Sequence, residues 1–185
     1  MRWPNVLCDR LTNSMKVSFL HTLSSNQALF APSIATLGPS VTVTHHVNQQ
    51  LLNEAQEIAT PDDEAQVTRS VHQALDKLVD GEKNPPNIII CTCSTIGDMA
   101  DSFSRHGSSA PKVIRVDRPM ALCAVQFPQI HVLAALESTI RPTMELLQEC
   151  AKRTKMNPKM KATVIPGAWS RFQAGDTQAY VHSIS

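Results

Sequence analysis

NIIICTCSTIGD, residues 87–98, decides how this chain is read. A run of β-branched apolar residues ends in two cysteines and a cluster of small hydroxyl side chains. The apolar run does not alternate with polar residues, which is the pattern of a strand buried on both faces of a parallel sheet. In open parallel sheets, ligands bind outside the carboxyl ends of the strands. Cys93, Ser94 and Thr95 fall at such an end, and the segment 94–107 behind them reads as helical. Cys91 lies two residues earlier, so both thiols share one face of a regular strand. Cys91 is the more interior and reads as core.

Outward from this strand the chain alternates. Segments 16–22 and 41–47 read as strands, with a polar turn entering a short helix from Leu23 between them. From Asp62 the period changes to 3.6 residues, with Val67, Val71, Ala74, Leu75 and Leu78 on one stripe. Asp62, Asp63 and Glu64 suit the first turn of that helix, and Gly81 follows its end. Strands are expected at 112–116, 129–136 and 161–167, and a helix at 142–154 with Pro142 early and basic residues late. A last helix begins at Asp176. Strand and helix in alternation predict an α/β fold with parallel sheets. The stretch 117–129 contains two prolines and reads as a crossover between two lobes. The expected organisation is an N-terminal extension (1–15), a first α/β lobe (16–120) and a second, shorter one (121–185).

Composition narrows the function. Of 185 residues, 42% are hydrophobic and 18% charged, with a net charge of +1, so no basic footprint points to nucleic acid or an anionic membrane. Aromatic residues make up 4%, too few to suggest base stacking. No apolar window reaches a membrane span, and the first residues lack a signal-peptide core. Cysteines at 8, 91, 93, 123 and 150 are odd in number and lack zinc-site spacing. Free thiols in a cytoplasmic setting, without a metal, are expected. No G-x-G-x-x-G follows strand one or three, which disfavours a dinucleotide cofactor.

At the end of the third strand two readings compete. A cysteine there is commonly packing. A helix N-terminus, however, holds a carboxylate on its N–H groups, and Ser94 and Thr95 add donors. It also favours the thiolate of a cysteine placed there. A thiolate beside a bound carboxylate is placed to remove a proton from the adjacent carbon.

The pieces IIICTCSTIG (88–97), RVDRPMA (115–121), HVLAALESTIRPTMELLQE (131–149) and GAWSRFQAGDTQAY (167–180), in this order, resemble the aspartate/glutamate/hydantoin racemase superfamily. The likeness is to the uncharacterised branch with CSTIG and RVDRPM, and it spans about residues 16 to 185. It implies two flavodoxin-like lobes with a cleft between them and thiol acid/base chemistry at the carbon α to a carboxyl or carbonyl, without a cofactor. The substrate would be a small amino acid, hydantoin or related carboxylate or amide. Cys93 would be the acid/base, with Ser94 and Thr95 beside it. HTLSSN (21–26) takes the place of the first substrate loop, which implies His21, Thr22, Ser24 and Asn26 as lining residues. ESTIRPT (137–143) takes the place of the second lobe's carboxylate loop, which implies Ser138 and Thr139.

The pattern also departs from the family. Typical members carry a second cysteine on a strand near the end of the second lobe. Neither Cys123 nor Cys150 matches it, and the chain is read as ending before that strand, with its second lobe incomplete. Relatives with one cysteine act as decarboxylases or isomerases. An inactive member, or a small-carboxylate binding protein, is the other expectation, and a homo-oligomer stays open. A Cys91–Cys93 redox switch is disfavoured, since C-x-C closes a strained ring. Elsewhere, His45 and His46 read as surface or capping residues and His131 as a core histidine. Asp117 and Arg118 either orient a substrate or pair to fix the link between lobes. Met144, Leu146, Leu147 and Cys150 read as core, and Trp169 as packing between helix and sheet.

Overall fold

The computed structural model describes residues 14–81, 83–105 and 110–184. Most of the N-terminal extension, with Cys8, lies outside the described residues. So does the end of the helix read at 94–107.

The first sheet has β1 (Met15–His21), β2 (Val41–Val47), β3 (Ile88–Cys91) and β4 (Lys112–Arg115), all parallel, in the order β2-β1-β3-β4. Leu20 registers with Cys91, and Cys91 with Arg115. This is the flavodoxin-like order, with its switch between β1 and β3. The fold is α/β with two flavodoxin-like lobes.

One face of this sheet carries the main core. Leu20, Ile89 and Cys91 pack there against α2 (Gln49–Gln56), α3 (Pro61–Asp80) and α4 (Gly97–Asp101). The stripe foreseen on α3 is its buried face: Val67, Val71, Leu75 and Leu78. A capping box starts it. Thr60 Oγ1 accepts from Asp63 N at 3.2 Å, and Asp63 Oδ2 accepts from Thr60 N at 2.9 Å. The other face carries Phe19, His21 and Ile90, with α1 (Ser25–Ile34) nearby through Phe30. No residue of α1 is buried, and Ile88 and Ile90 are only half-buried, so β3 is fully covered on one face and not on both.

The stretch 117–129, read as a crossover between lobes, carries a helix, α5 (Arg118–Ala124). Pro119 sits in its first turn, where a fixed φ and a missing N–H cost nothing. The second sheet pairs β5 (Gln129–Ala134) with β6 (Lys159–Val164) in parallel. Ile130, Val132 and Met160 pack on α6 (Ile140–Thr154) around Leu146, Leu147 and Cys150. The opposite face of this pair is open. His131 falls on that open face and is exposed, hydrogen-bonded to Thr163 Oγ1 at 2.9 Å, not in the core as its strand position suggested. Two short helices, α7 (Ala168–Gln173) and α8 (Thr177–Ile184), follow. Trp169 packs against the first core and stacks on Phe172. No helix among the described residues is long and apolar enough to cross a membrane.

Leu75 is fully buried at the centre of the α3 stripe. Leu75→Ala is expected to cost about 2–5 kcal/mol, read as a lowered urea midpoint with an unchanged slope.

Candidate functional site

β3 stops at Cys91, two residues earlier than its apolar run suggested. Cys93 is still extended and caps a 3-10 turn, Ser94–Ile96, that runs into α4. α4 is only five residues long and carries Asp98 in its first turn. The long helix expected behind Cys93 is therefore replaced by a tight turn. Any anion held here rests on hydroxyl groups more than on a helix dipole. Cys93 is a buried member of the first core and keeps 9% exposure. Cys91, beneath it, is enclosed. Its Sγ donates to Cys93 O at 3.6 Å, and burial pushes its thiol pKa strongly up.

The second lobe presents a matching device. β5 ends, and a second 3-10 turn, Glu137–Thr139, leads into α6. The two turns touch, and the first is also in contact with α2 and α6. Two hydroxyls in these turns are enclosed without a hydrogen-bond partner: Thr95 Oγ1 and Ser138 Oγ. Thr95 is 6% exposed. The carboxylate oxygen Asp98 Oδ1, one turn on, is in the same condition. Such groups are uncommon in folded chains, because each forfeits a hydrogen bond that water would have supplied. Here three fall in the short segments where the lobes meet. Ser138 also lines a cleft of about 440 Å³, together with Thr60, Glu64, Glu137 and Arg141 among others; Thr95 is joined to it through the contact between the two turns.

A buried ion pair holds this junction. Arg115, 3% exposed, binds Asp117 through two bonds, Nε to Oδ1 at 2.7 Å and Nη2 to Oδ2 at 2.9 Å. Asp117 also accepts from the Ser94 hydroxyl. Burial alone would raise the Asp117 carboxyl. The Arg115 bonds and charge, with Ser94, overcome it and hold the group below the usual carboxylate range. Arg115 Nη2 reaches on to the carbonyl of Pro142 in α6, at 3.3 Å. One guanidinium thus ties the first turn to the start of the helix behind the second. Gly97 is required beside it: a Cβ there would lie 2.8 Å from the Arg115 guanidinium carbon. Arg118 adds a second tie, to Asp101 of α4 and to Glu149 of α6 at 2.9 Å. Both Asp117 and Arg118 therefore serve ion pairs at the lobe junction.

His21 belongs to a different constellation. It is fully buried. Nδ1 lies 2.9 Å from Thr92 Oγ1, and Nε2 lies 2.9 Å from His45 Nδ1. Asn26 Nδ2 also donates to Thr92 Oγ1, at 3.3 Å. Thr92 stands between Cys91 and Cys93 and faces the other way, so His21 and Asn26 gather on the sheet face opposite the thiol. Thr92 Oγ1 donates to Leu20 O at 3.3 Å, which leaves its oxygen to accept from the His21 ring. Nε2 of His21 then accepts from His45. Burial first, then the charges of His45 and His46, lower the His21 pKa to about 4. His45, half-buried, is thus paired with the buried His21, and His46 lines a separate groove between α2 and α3.

Thr22 is buried on the same strand parity as Leu20, hence on the Cys93 side. Ser24 is exposed at the start of α1 and makes no side-chain cap bond. Thr139 spends its hydroxyl on Leu136 O at 2.7 Å within its own turn. The sequence-derived residues thus divide in two. Cys93, Ser94, Thr95, Ser138 and Thr139 converge at the lobe junction; His21 and Asn26 do not. Arg115, Arg141 and Glu64 were not foreseen. The R-V-D and I-R-P spacings contained the first two, but only the fold brings them to one place. Comparison with protein-family models, curated proteins and solved structures finds no match to this chain.

Gly97→Ala forces Arg115 off Asp117 and leaves a buried carboxylate unpaired; a loss of about 3–5 kcal/mol in chemical denaturation is expected, against under 1 for Gly38→Ala in open space. His21 gives a pH signature. Below its ordinary value of 6.5 the unfolded chain takes up a proton that the folded chain refuses until about pH 4. Stability therefore falls as pH drops through that window, by up to ~3 kcal/mol. His21→Gln should flatten this limb relative to the native chain when urea midpoints are compared from pH 7 to pH 4.

Proposed function

We propose that the junction between the lobes binds a small carboxylated or amide-bearing molecule and that Cys93 exchanges a proton at its α-carbon, without a cofactor. The observation that carries this is the pair of enclosed, unpartnered hydroxyls, Thr95 Oγ1 and Ser138 Oγ, on two touching turns beside that thiol. Two hydroxyl donors suit a carboxyl group, and Asp98 Oδ1 suits an N–H of the same ligand. An amino acid or a hydantoin offers both. Cys93 as thiolate would take the α-proton, and the electron pair would delocalise into the adjacent carbonyl. The proton would return from the same sulfur. The family resemblance of the motifs that meet here supports the same chemistry. The described cysteines are all free, which suits a reducing, cytoplasmic setting.

A second reading is binding without turnover. The 9% exposure of Cys93 and its membership of the first core favour it.

The discriminating measurement is α-deuterium incorporation in D₂O, followed by proton NMR over a panel of amino acids, hydantoins and malonates. One thiol on one face predicts exchange with retention of configuration, lost in Cys93→Ala and lowered at least about tenfold in Thr95→Val and Ser138→Ala, since each removes a hydrogen bond to a charged group. Binding of a panel member without exchange selects the second reading. Neither binding nor exchange across the panel overturns both.

A further inference from the structure

We infer that Arg141 is the receptor for a ligand carboxylate in the interlobe cleft and that Glu64 occupies it until the ligand arrives. The inference rests on the cleft being the ligand site, as proposed above, and names the group that selects for charge there.

Arg141 follows the Glu137–Thr139 turn by two residues and lines the same cleft as Ser138. It is the single cation among the residues lining that cleft, beside the carboxylates of Glu64 and Glu137. Its Nη2 donates to Glu64 Oε1 at 2.9 Å, which joins α6 of the second lobe to the first turn of α3 in the first. Its other contact, Nη1 to Glu145, is loose at 3.9 Å.

This link differs from the other two at the junction. Arg115 is enclosed and bonded to Asp117 and to a backbone carbonyl, so it cannot be released without leaving a buried charge. The Arg141–Glu64 pair is partly open, with side chains 55% and 35% exposed. A pair in that setting contributes little to stability. Exchanging one carboxylate partner for another therefore costs little, while a guanidinium fork keeps its strong preference for carboxylate over neutral amide. Glu64 acts as an internal stand-in: it blocks weak anions and moves aside for a ligand that also meets Ser138 in the same cleft and extends toward Thr95 on the touching turn.

The opposite signs of two variants test this. Binding of malonate and of its neutral diamide, malonamide, to the full chain is measured by isothermal titration calorimetry, with thermal melts to verify folding. Arg141→Gln is expected to weaken malonate about tenfold, the loss of one charge-assisted contact. Glu64→Gln, which frees the guanidinium, is expected to tighten malonate several-fold. Malonamide should change in neither variant, and Arg141→Lys should restore part of the malonate affinity. If both variants shift malonate in the same direction, or Arg141→Gln leaves it unchanged while Ser138→Ala and Thr95→Val weaken it, the pair is only a brace and the inference fails while the cleft stands. If the native chain binds neither malonate nor malonamide, the inference fails; the reading beneath it falls as well only when no amino acid or hydantoin of the panel binds.

Discussion

The buried Arg115–Asp117 pair is the constraint on which the junction depends. A guanidinium this enclosed needs all its strong partners in place, because an unpaired charge there costs several kcal/mol. Its partners lie on three segments: Asp117 just past β4, the Pro142 carbonyl at the start of α6, and Ser94 through Asp117. Satisfying one side chain therefore sets where two lobes meet. It also explains why Gly97 stands where it does, since no larger residue leaves room for the guanidinium. The sequence pieces C-S-T-I-G, R-V-D-R-P and E-S-T-I-R-P, far apart along the chain, are the walls and ties of this one junction.

The hydroxyl pair depends on that constraint. Ser94 is spent on Asp117, and Thr139 on its own turn. Thr95 and Ser138 are what remain, enclosed and without a hydrogen-bond partner. A short 3-10 turn makes this possible: it ends a strand abruptly and presents small side chains inward, where a longer helix would bury its first turn against the sheet. Cys93 follows a threonine committed to the opposite face, so its thiol lies on the face of the first core, 9% exposed.

Much of this was legible in the order of residues. The strands, the α3 stripe and the parallel arrangement follow from period and from β-branched runs, because burial on a sheet or a helix face imposes those periods directly. The helix α2 was missed although Leu51, Leu52 and Ala55 recur on one face, because its window is short and amide-rich. α5 gives little signal because it is only seven residues long; Pro119 is compatible with it because it falls in the first turn. His131 was misplaced because a strand with one covered face was treated as interior, and only the two-stranded pairing reveals the open side. Among site residues, Cys93, Thr95 and Ser138 were named from motif position, yet His21 and Asn26 were grouped with them. Loop proximity in sequence does not tell which face of a sheet a side chain takes; the alternation at Thr92 decides it. Long-range ties such as Arg115 to Pro142 and Arg141 to Glu64 leave no local periodic signal at all.

The central proposal is that a ligand at the lobe junction reaches the Cys93 sulfur, which keeps 9% exposure where Cys91 keeps 1%. Its most direct test is peptide-resolved mass spectrometry of alkylation by iodoacetamide in the folded chain, with and without malonate. Cys93 is expected to be modified far faster than Cys91, and malonate to slow it. Modification of Cys93 only on unfolding, at the same rate as Cys91 and indifferent to malonate, would contradict the proposal.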